Sequence, residues 1–172
     1  MNPALPTRLD SIPSAEPKEA RGALRMFAGG VTIVTTRSDE SVYGITVTSF
    51  ASVSLDPPII LASINNESQI SDGIVDARFF AVTVLDRSQE ALARQFAASI
   101  PAHEKFAGVA IRSELTGAPL IDGGLAWFDC ALDRTLVVAT HTIMFGRVLR
   151  AGARDGGGEP LVYHDRGYRH LA

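Results

Sequence analysis

The sequence predicts a mainly β fold, an antiparallel barrel with peripheral helices, on three observations. Runs rich in β-branched residues (VTIVTT, VYGITVTSFASVSL, IILASI, FFAVTVL) fill much of the 172-residue chain, with turn residues such as SDES and DPP between them. Apolar residues at helical spacing occur only in a few short stretches. Strand-like runs also follow one another directly, without the regular helical crossovers that a parallel sheet needs.

Taken in order, residues 1–16 contain Pro3, Pro6 and Pro13 and no sustained periodicity, which reads as a mobile N-terminal arm. The folded domain is expected over 17–172. From Pro17, the residues Ala20, Ala23, Leu24 and Phe27 recur at helical spacing, and Gly29 and Gly30 then stop the helix. Three or four largely antiparallel strands follow between Val31 and Ile64. A short helix is predicted from about Ser68 to Ala77, then the strand FFAVTVL, then an amphipathic helix from Ser88 through Phe96 with Leu92 and Phe96 on one side. Ser99 to Pro119 reads as a long irregular loop. The segments LAWFDCALDRTLVVA, HTIMFGRVLRAG, PLVYH and YRHL are closing strands, interrupted by the turn ARDGGGE.

Composition removes several function classes. A chain of this length, 46% hydrophobic, supports one substantial core rather than two. The net charge of −3, with Arg interspersed among Asp and Glu, leaves no basic stripe for nucleic acid. No apolar run approaches the roughly 20 residues of a membrane helix, and no secretory signal opens the chain, so a cytoplasmic protein is expected. The single Cys130 excludes an internal disulfide and lies in an apolar segment, as a small core residue does. His103, His141, His164 and His170 lack zinc spacing, so no metal is expected. No GxxxxGK[ST] or GxSxG is present, and Gly156 to Gly158 precede Glu159 and Pro160 instead of opening a helix.

Three segments could carry chemistry. GITVTSFASVSLDPP, Gly44 to Pro58, sets Thr46, Thr48, Ser49, Ser52 and Ser54 among Val, Ile and Phe. Hydroxyls on a strand that reaches an open edge can turn to a polar ligand, although the same residues also suit an ordinary strand. In HTIMFG, His141, Ile143 and Phe145 share one face and Thr142 and Met144 the other. An imidazole there could bond a carboxamide or donate a proton, or simply satisfy a backbone carbonyl. Tyr163 and Tyr168 flank HDRG in a tight hairpin, where either ring could cover a flat cofactor or merely pack.

In these segments the chain resembles the flavin reductase-like family. The residues that carry the resemblance run from ALRMFAGGVTIVTT, beginning at Ala23, through YGITVTSFASVSLDPPIILASI, FFAVTVL, ALARQFA, KFAGV and GAPLIDGGLAWFDCAL to HTIMFGRV and PLVYHDRGYR. They cover nearly everything after the N-terminal arm, and the Gly44 to Pro58 segment is the most specific part. The resemblance implies a split β-barrel of the FMN-binding type with Greek-key topology, assembled as a homodimer. It implies FMN or FAD held along Thr46, Val47, Thr48 and Ser49 and the strand end Ser63, Ile64 and Asn65, with the phosphate toward Ser68, Gln69 and the helix near Phe96. Amides around Val47 and Thr48 would face the pyrimidine edge of the ring, where reduction adds negative charge. His141, Tyr163 and Tyr168 would contact the nicotinamide of NADH or NADPH, His141 being the candidate catalytic residue.

The implied activity is NAD(P)H:flavin oxidoreduction, with reduced flavin supplied to a separate monooxygenase. Two positions depart from the family pattern: Thr140 replaces an acidic residue before the histidine, and Gln69 replaces a basic residue beside the phosphate-binding serine. They motivate an alternative, a flavin carrier or sensor without nicotinamide turnover. A split-barrel oxidase of pyridoxamine-type phosphates ranks lower, because the Arg and Lys cluster for such a substrate is missing.

Overall fold

Seven antiparallel strands form the main sheet in a computed structural model that describes residues 12–38 and 41–171. Most of the expected N-terminal arm, and the middle of the SDES turn, lie outside the described residues. In chain order the elements are α1 (Pro17–Leu24), β1 (Gly29–Gly30), β2 (Thr32–Ser38), β3 (Ser41–Val47), β4 (Phe50–Leu55), β5 (Pro58–Asn65), α2 (Gln69–Ala77) and β6 (Phe79–Val84). A 3₁₀ turn, Arg87–Gln89, then leads into α3 (Glu90–Ala97), α4 (Ala102–Lys105), β7 (Ile111–Arg112), β8 (Leu120–Ile121), β9 (Ala126–Val138), β10 (His141–Ala153), β11 (Val162–His164) and β12 (Gly167–Arg169).

The main sheet runs β3-β2-β6-β9-β10-β5-β4. Its two edges, β3 and β4, are consecutive in the chain, and only Thr48 and Ser49 separate them. Three Cα steps of 3.8 Å hold Val47 and Phe50 within about 11 Å of each other, so the sheet has to roll until its edges meet at that end. The Ser63 N–H donates to the Ser49 carbonyl at 3.0 Å and fixes the junction. Elsewhere β3 bonds to β2 alone and β4 to β5 alone, which leaves the roll split between β3 and β5.

The predicted alternation explains which side of the roll is filled. Along β10, Thr142, Met144 and Gly146 are buried and His141, Ile143 and Phe145 face outward. Along β5 the buried residues are Ile60, Ala62 and Ile64. With Val34, Phe80, Val82 and Cys130 they form the barrel core, each large apolar side chain contributing roughly 1.5–3 kcal/mol when buried. Burial, reinforced by the Asp129 carboxylate, pushes the Cys130 thiol up to about 12 and leaves it inert. A second cluster, containing Val31, Ile33, Leu85, Phe96 and Leu161, fills the space under α3.

Two readings from the sequence change. Gly44 to Pro58 begins as one extended run but is broken at Thr48–Ser49, because β3 and β4 must join opposite edges of the sheet. The segment 99–119 contains the single turn of α4 and the strand β7. It is anchored by the buried Asp129, whose carboxylate accepts the Thr116 N–H at 3.0 Å and the Thr116 hydroxyl. No described helix is long and apolar enough to cross a membrane.

Candidate active site

The split between β3 and β5 opens into a cleft of about 550 Å³. One wall is β3 at Tyr43, Gly44 and Ile45, and Asn65 closes the end of β5. Ser68 and Gln69, at the start of α2, and the turn from Ala97 to Ala102 complete it, with Lys105 projecting from α4. Ser68 is the N-cap residue of α2, yet its side chain makes no capping bond, so its hydroxyl is available at the positive end of the helix dipole. Asn65 Oδ1 accepts the Glu67 N–H at 2.9 Å, and the Ser68 N–H bonds the Asn65 carbonyl at 3.0 Å, which fixes the loop between β5 and α2.

Lys105 is the cation of this cleft, and the sequence reading missed it. Its ammonium donates to the Phe96 carbonyl at 3.0 Å and more weakly to the Gly44 carbonyl at 3.4 Å. Burial lowers its pKa, because an ammonium is less stable away from water. A phosphate in the cleft would restore that lost stabilisation. The pattern KFAGV held the signal, since Lys105 and Phe106 face α3 from one turn, but a helix this short has no readable periodicity.

A second cleft, about 430 Å³, lies over the β3–β4 junction. Gly29, Thr48 and Ser49 form its floor, Leu24 and Phe27 one side, and Tyr163 and Arg166 the other. The junction lies outside both pairing ladders. Among the described residues, the Thr48 and Ser49 N–H groups have no backbone acceptor. Gly29 packs closely beside them, since a Cβ there would sit 3.3 Å from Thr48 Cβ, a tight contact. The helix α1 is pinned over this cleft: Arg25 Nε bonds Asp165 Oδ1 at 2.9 Å, and the Asp165 N–H returns a bond to the Arg25 carbonyl at 3.0 Å.

The remaining predicted residues divide into lining and support. The Ser49 hydroxyl donates to the Ser63 carbonyl at 2.7 Å, linking the two hydroxyl-bearing strands. The Thr46 hydroxyl is turned away to the Ala93 carbonyl at 2.7 Å and ties β3 to α3. Val47, Ile64 and Phe96 are buried, so their side chains support the walls and only their backbone can reach a ligand. The Phe96 ring meets Phe106 edge-on at 4.9 Å. Its place is fixed by Gly44, where any Cβ would come within 2.4 Å of the ring.

His141 pairs across the sheet with Asn65, and Ile143 with Ser63. Ser63 in turn bonds Ser49, so the histidine and the hydroxyl-bearing junction stand on adjoining strands at one end of the roll. His141 is exposed and lines none of the clefts described here. Its Nδ1 shares a hydrogen bond of 2.9 Å with the hydroxyl of Thr140, the residue that departs from the acidic one of the family pattern. Tyr163 and Tyr168 meet edge-on at 5.3 Å, and the Arg94 guanidinium lies 4.9 Å over the Tyr168 ring.

This arrangement sets a cleft lined by Ser68 and the Lys105 ammonium near a polar seam whose amides have no backbone partner among the described residues, a donor set that suits a flat, phosphate-bearing ligand. A family model described as flavin reductase like domain matches residues 24–172. The chain is 39% identical over 153 residues to the FMN reductase (NADH) SmoA of Agrobacterium fabrum, an alignment covering 88% of this chain and 85% of that protein. Among solved structures it is similar to BorF, the flavin reductase component of a bacterial two-component tryptophan halogenase, with a TM-score of 0.84, 36% identity and coverage of 91% and 98%. It is also similar to the NADH:FAD oxidoreductase SgcE6 of Streptomyces globisporus C-1027 in complex with NAD and FAD fragments, with a TM-score of 0.85, 32% identity and coverage of 94% and 98%. The chain belongs to the flavin reductase-like family.

Proposed function

We propose that the protein is the reductase component of a two-component system, an NADH-dependent flavin reductase that delivers reduced flavin to a separate monooxygenase. One observation carries the reading. The same split barrel that leaves the Thr48 and Ser49 amides without backbone partners also opens a cleft containing Ser68 and the Lys105 ammonium. The donor set fits a flavin: free amides suit the pyrimidine edge, and a hydroxyl, a helix N-terminus and a cation suit the phosphate. The bound flavin supplies the acceptor for the hydride that NADH gives up.

The chain's own residues bind and orient. Thr48 and Ser49 present fixed dipoles that need no reorganisation as negative charge grows near them. Ser68, Gln69 and Lys105 hold the phosphate, Lys105 supplying the charge that Gln69 lacks. His141, tethered through Nδ1 to Thr140, positions the nicotinamide carboxamide with Nε2, and Tyr163 and Tyr168 bound the same region. The folded unit is a single domain over 17–172, and the cytoplasm supplies its NADH.

The working unit is a homodimer. The helices pack chiefly on β2, β3 and β6, so among the described residues the outer face of β4, β5, β10 and the tip of β9 has no helix layer over it. Leu136 and Val138 are 52% and 50% exposed there, beside the outward-facing Ile143 and Phe145. Purified protein mixed with NADH and a panel of flavins tests the activity, followed at the NADH absorbance band. Rapid oxidation with FMN or FAD is expected. Oxidation no faster than in a protein-free control, with every flavin tried, would remove the reading, and tightly bound flavin without turnover would favour a carrier.

A further inference from the structure

His141 is the first residue of β10, directly after the turn that folds β10 back on β9. Because His141 pairs with Val138, that turn contains only Ala139 and Thr140. Ala139 has a φ of 49°, a left-handed conformation that a two-residue hairpin ordinarily gives to Gly or Asn. A turn built on alanine and threonine is poorly fixed by its own residues, so a side chain at its base needs support from outside the hairpin.

Asn66, in the loop between β5 and α2, supplies that support. Its N–H donates to the Thr140 carbonyl at 3.0 Å, its Nδ2 donates to the Ala139 carbonyl at 3.1 Å, and its Oδ1 accepts the Thr142 hydroxyl at 2.7 Å. These contacts fall on both sides of His141. A carbonyl at one end of the amide and a hydroxyl at the other leave it a single orientation. Thr140, gripped by its carbonyl, in turn shares the 2.9 Å bond with Nδ1 of His141. Asn66 is exposed and lines neither of the two large clefts. The turn that presents Ser68 is closed by Asn65, through its bonds with the Glu67 and Ser68 N–H groups, and makes no use of the Asn66 side chain. Both ends of the Asn66 amide therefore serve the neighbouring hairpin.

We propose that Asn66 is a positioning residue: it clamps the β9–β10 turn and, through Thr140, fixes the orientation of the His141 imidazole. The inference rests on the reading of His141 as the group that meets the nicotinamide carboxamide. An imidazole carried on a loose turn samples many orientations, and each one frozen on binding weakens the contact.

Asn66→Ala removes both side-chain bonds and keeps the backbone bond to Thr140. With FMN as acceptor, the variant should show a KM for NADH raised about 5-fold, the loss of weak neutral hydrogen bonds, with the KM for FMN within about twofold of wild type. In a His141→Ala background the same change should raise it by less than about 1.5-fold, because residues that act through one another are not additive. Thr142→Val, which removes only the Oδ1 bond and nearly preserves side-chain shape, should raise the KM for NADH about twofold and serves as the second test of the clamp. The Cε1–H nuclear magnetic resonance of His141, identified among the four histidines by its loss in His141→Ala, should shift or broaden in Asn66→Ala and not in the other three rings. An unmoved His141 resonance would overturn the proposal whatever the activity. So would an unchanged KM for NADH in an active enzyme, equal rises for NADH and FMN, or full additivity with His141→Ala. A wild type that oxidises no NADH, but whose His141 resonance still responds to Asn66→Ala, would support the clamp and count against the reductase reading alone.

Discussion

At the scale of single residues, the cleft proposed to hold the flavin's phosphate draws its charge from α4 and not from the start of α2. Gln69 leaves the start of α2 neutral, and Lys105 brings an ammonium to the same cleft from α4. A charge-assisted hydrogen bond contributes about 1.5–3 kcal/mol, so Lys105→Met should weaken FMN binding about 10- to 100-fold while leaving riboflavin, which has no phosphate, nearly unaffected. Fluorescence quenching of the two flavins measures this directly. The pH dependence has a definite sign. Burial lowers the Lys105 pKa, so the ammonium is complete below that lowered value and is lost as pH rises through it. FMN affinity should therefore fall on the alkaline side earlier than an ordinary lysine would allow, and riboflavin affinity should stay flat. His141 is a surface residue at a strand end, so His141→Ala should cost the fold less than about 0.5 kcal/mol. It should raise the KM for NADH several-fold and that for flavin much less. Equal losses for both substrates in steady-state kinetics would mean that the imidazole only supports its strand.

At the scale of elements, the site depends on how α3 and α4 are docked. Gly44 lets the Phe96 ring lie against β3, and a Cβ there would meet Phe96 Cε1 at 2.4 Å and Phe106 Cζ at 3.1 Å. Gly44→Ala should cost about 1–3 kcal/mol by overpacking and loosen the wall that carries Lys105. A lower unfolding midpoint together with weaker FMN binding would show the coupling; lost stability with unchanged FMN affinity would separate the two. Asp86 secures the other end of α3's approach. The Ser88 hydroxyl and N–H, followed by Arg154 at 2.7 Å, hold its carboxyl down to about 2. Because that value lies below the ordinary 3.8, its contribution is complete above about pH 4 and disappears as pH falls through about 2. Asp86→Ala should cost about 1–2 kcal/mol near neutrality as a lost cap, and urea titrations should show the deficit shrinking as pH drops from 4 toward 2. These elements also mark how far the sequence could be read. Alternation located the strands well, as His141, Ile143 and Phe145 show by facing outward while Thr142 and Met144 are buried. The break at Thr48–Ser49 was not legible, because the residues on both sides favour strand and only the topology separates them. Phe96 was identified from its helical neighbours, but its burial comes from Gly44 and Phe106, residues distant in the chain that no local pattern connects to it. Lys105 was missed for the same reason: α4 is a single turn, and its lysine matters only because α3 and β3 bring two carbonyls to it.

For the whole molecule, the rolled sheet has two unlike outer surfaces. One is covered by α2 and α3, and the other presents β4, β5, β10 and the β9 tip without a covering layer among the described residues. The apolar side chains Leu136, Val138, Ile143 and Phe145 lie on that bare surface, where β10 pairs with β5 at Ser63 and Asn65 beside the proposed flavin cleft. A second copy is the simplest cover, since a twofold interface lets one patch complement itself, and a stable dimer needs roughly 800 Å² from each partner. Leu136→Glu places a carboxylate at the middle of that patch without touching the barrel core, because the leucine already faces outward and is half exposed. Wild type should sediment at twice the chain mass at micromolar concentration, and the variant at the chain mass, with its circular dichroism spectrum unchanged. Since Ser63 and Asn65 lie on the strand next to this patch, the monomeric variant should also bind FMN more weakly. A wild type that sediments as a monomer, or a variant that remains dimeric, would show that this face is not where two chains meet.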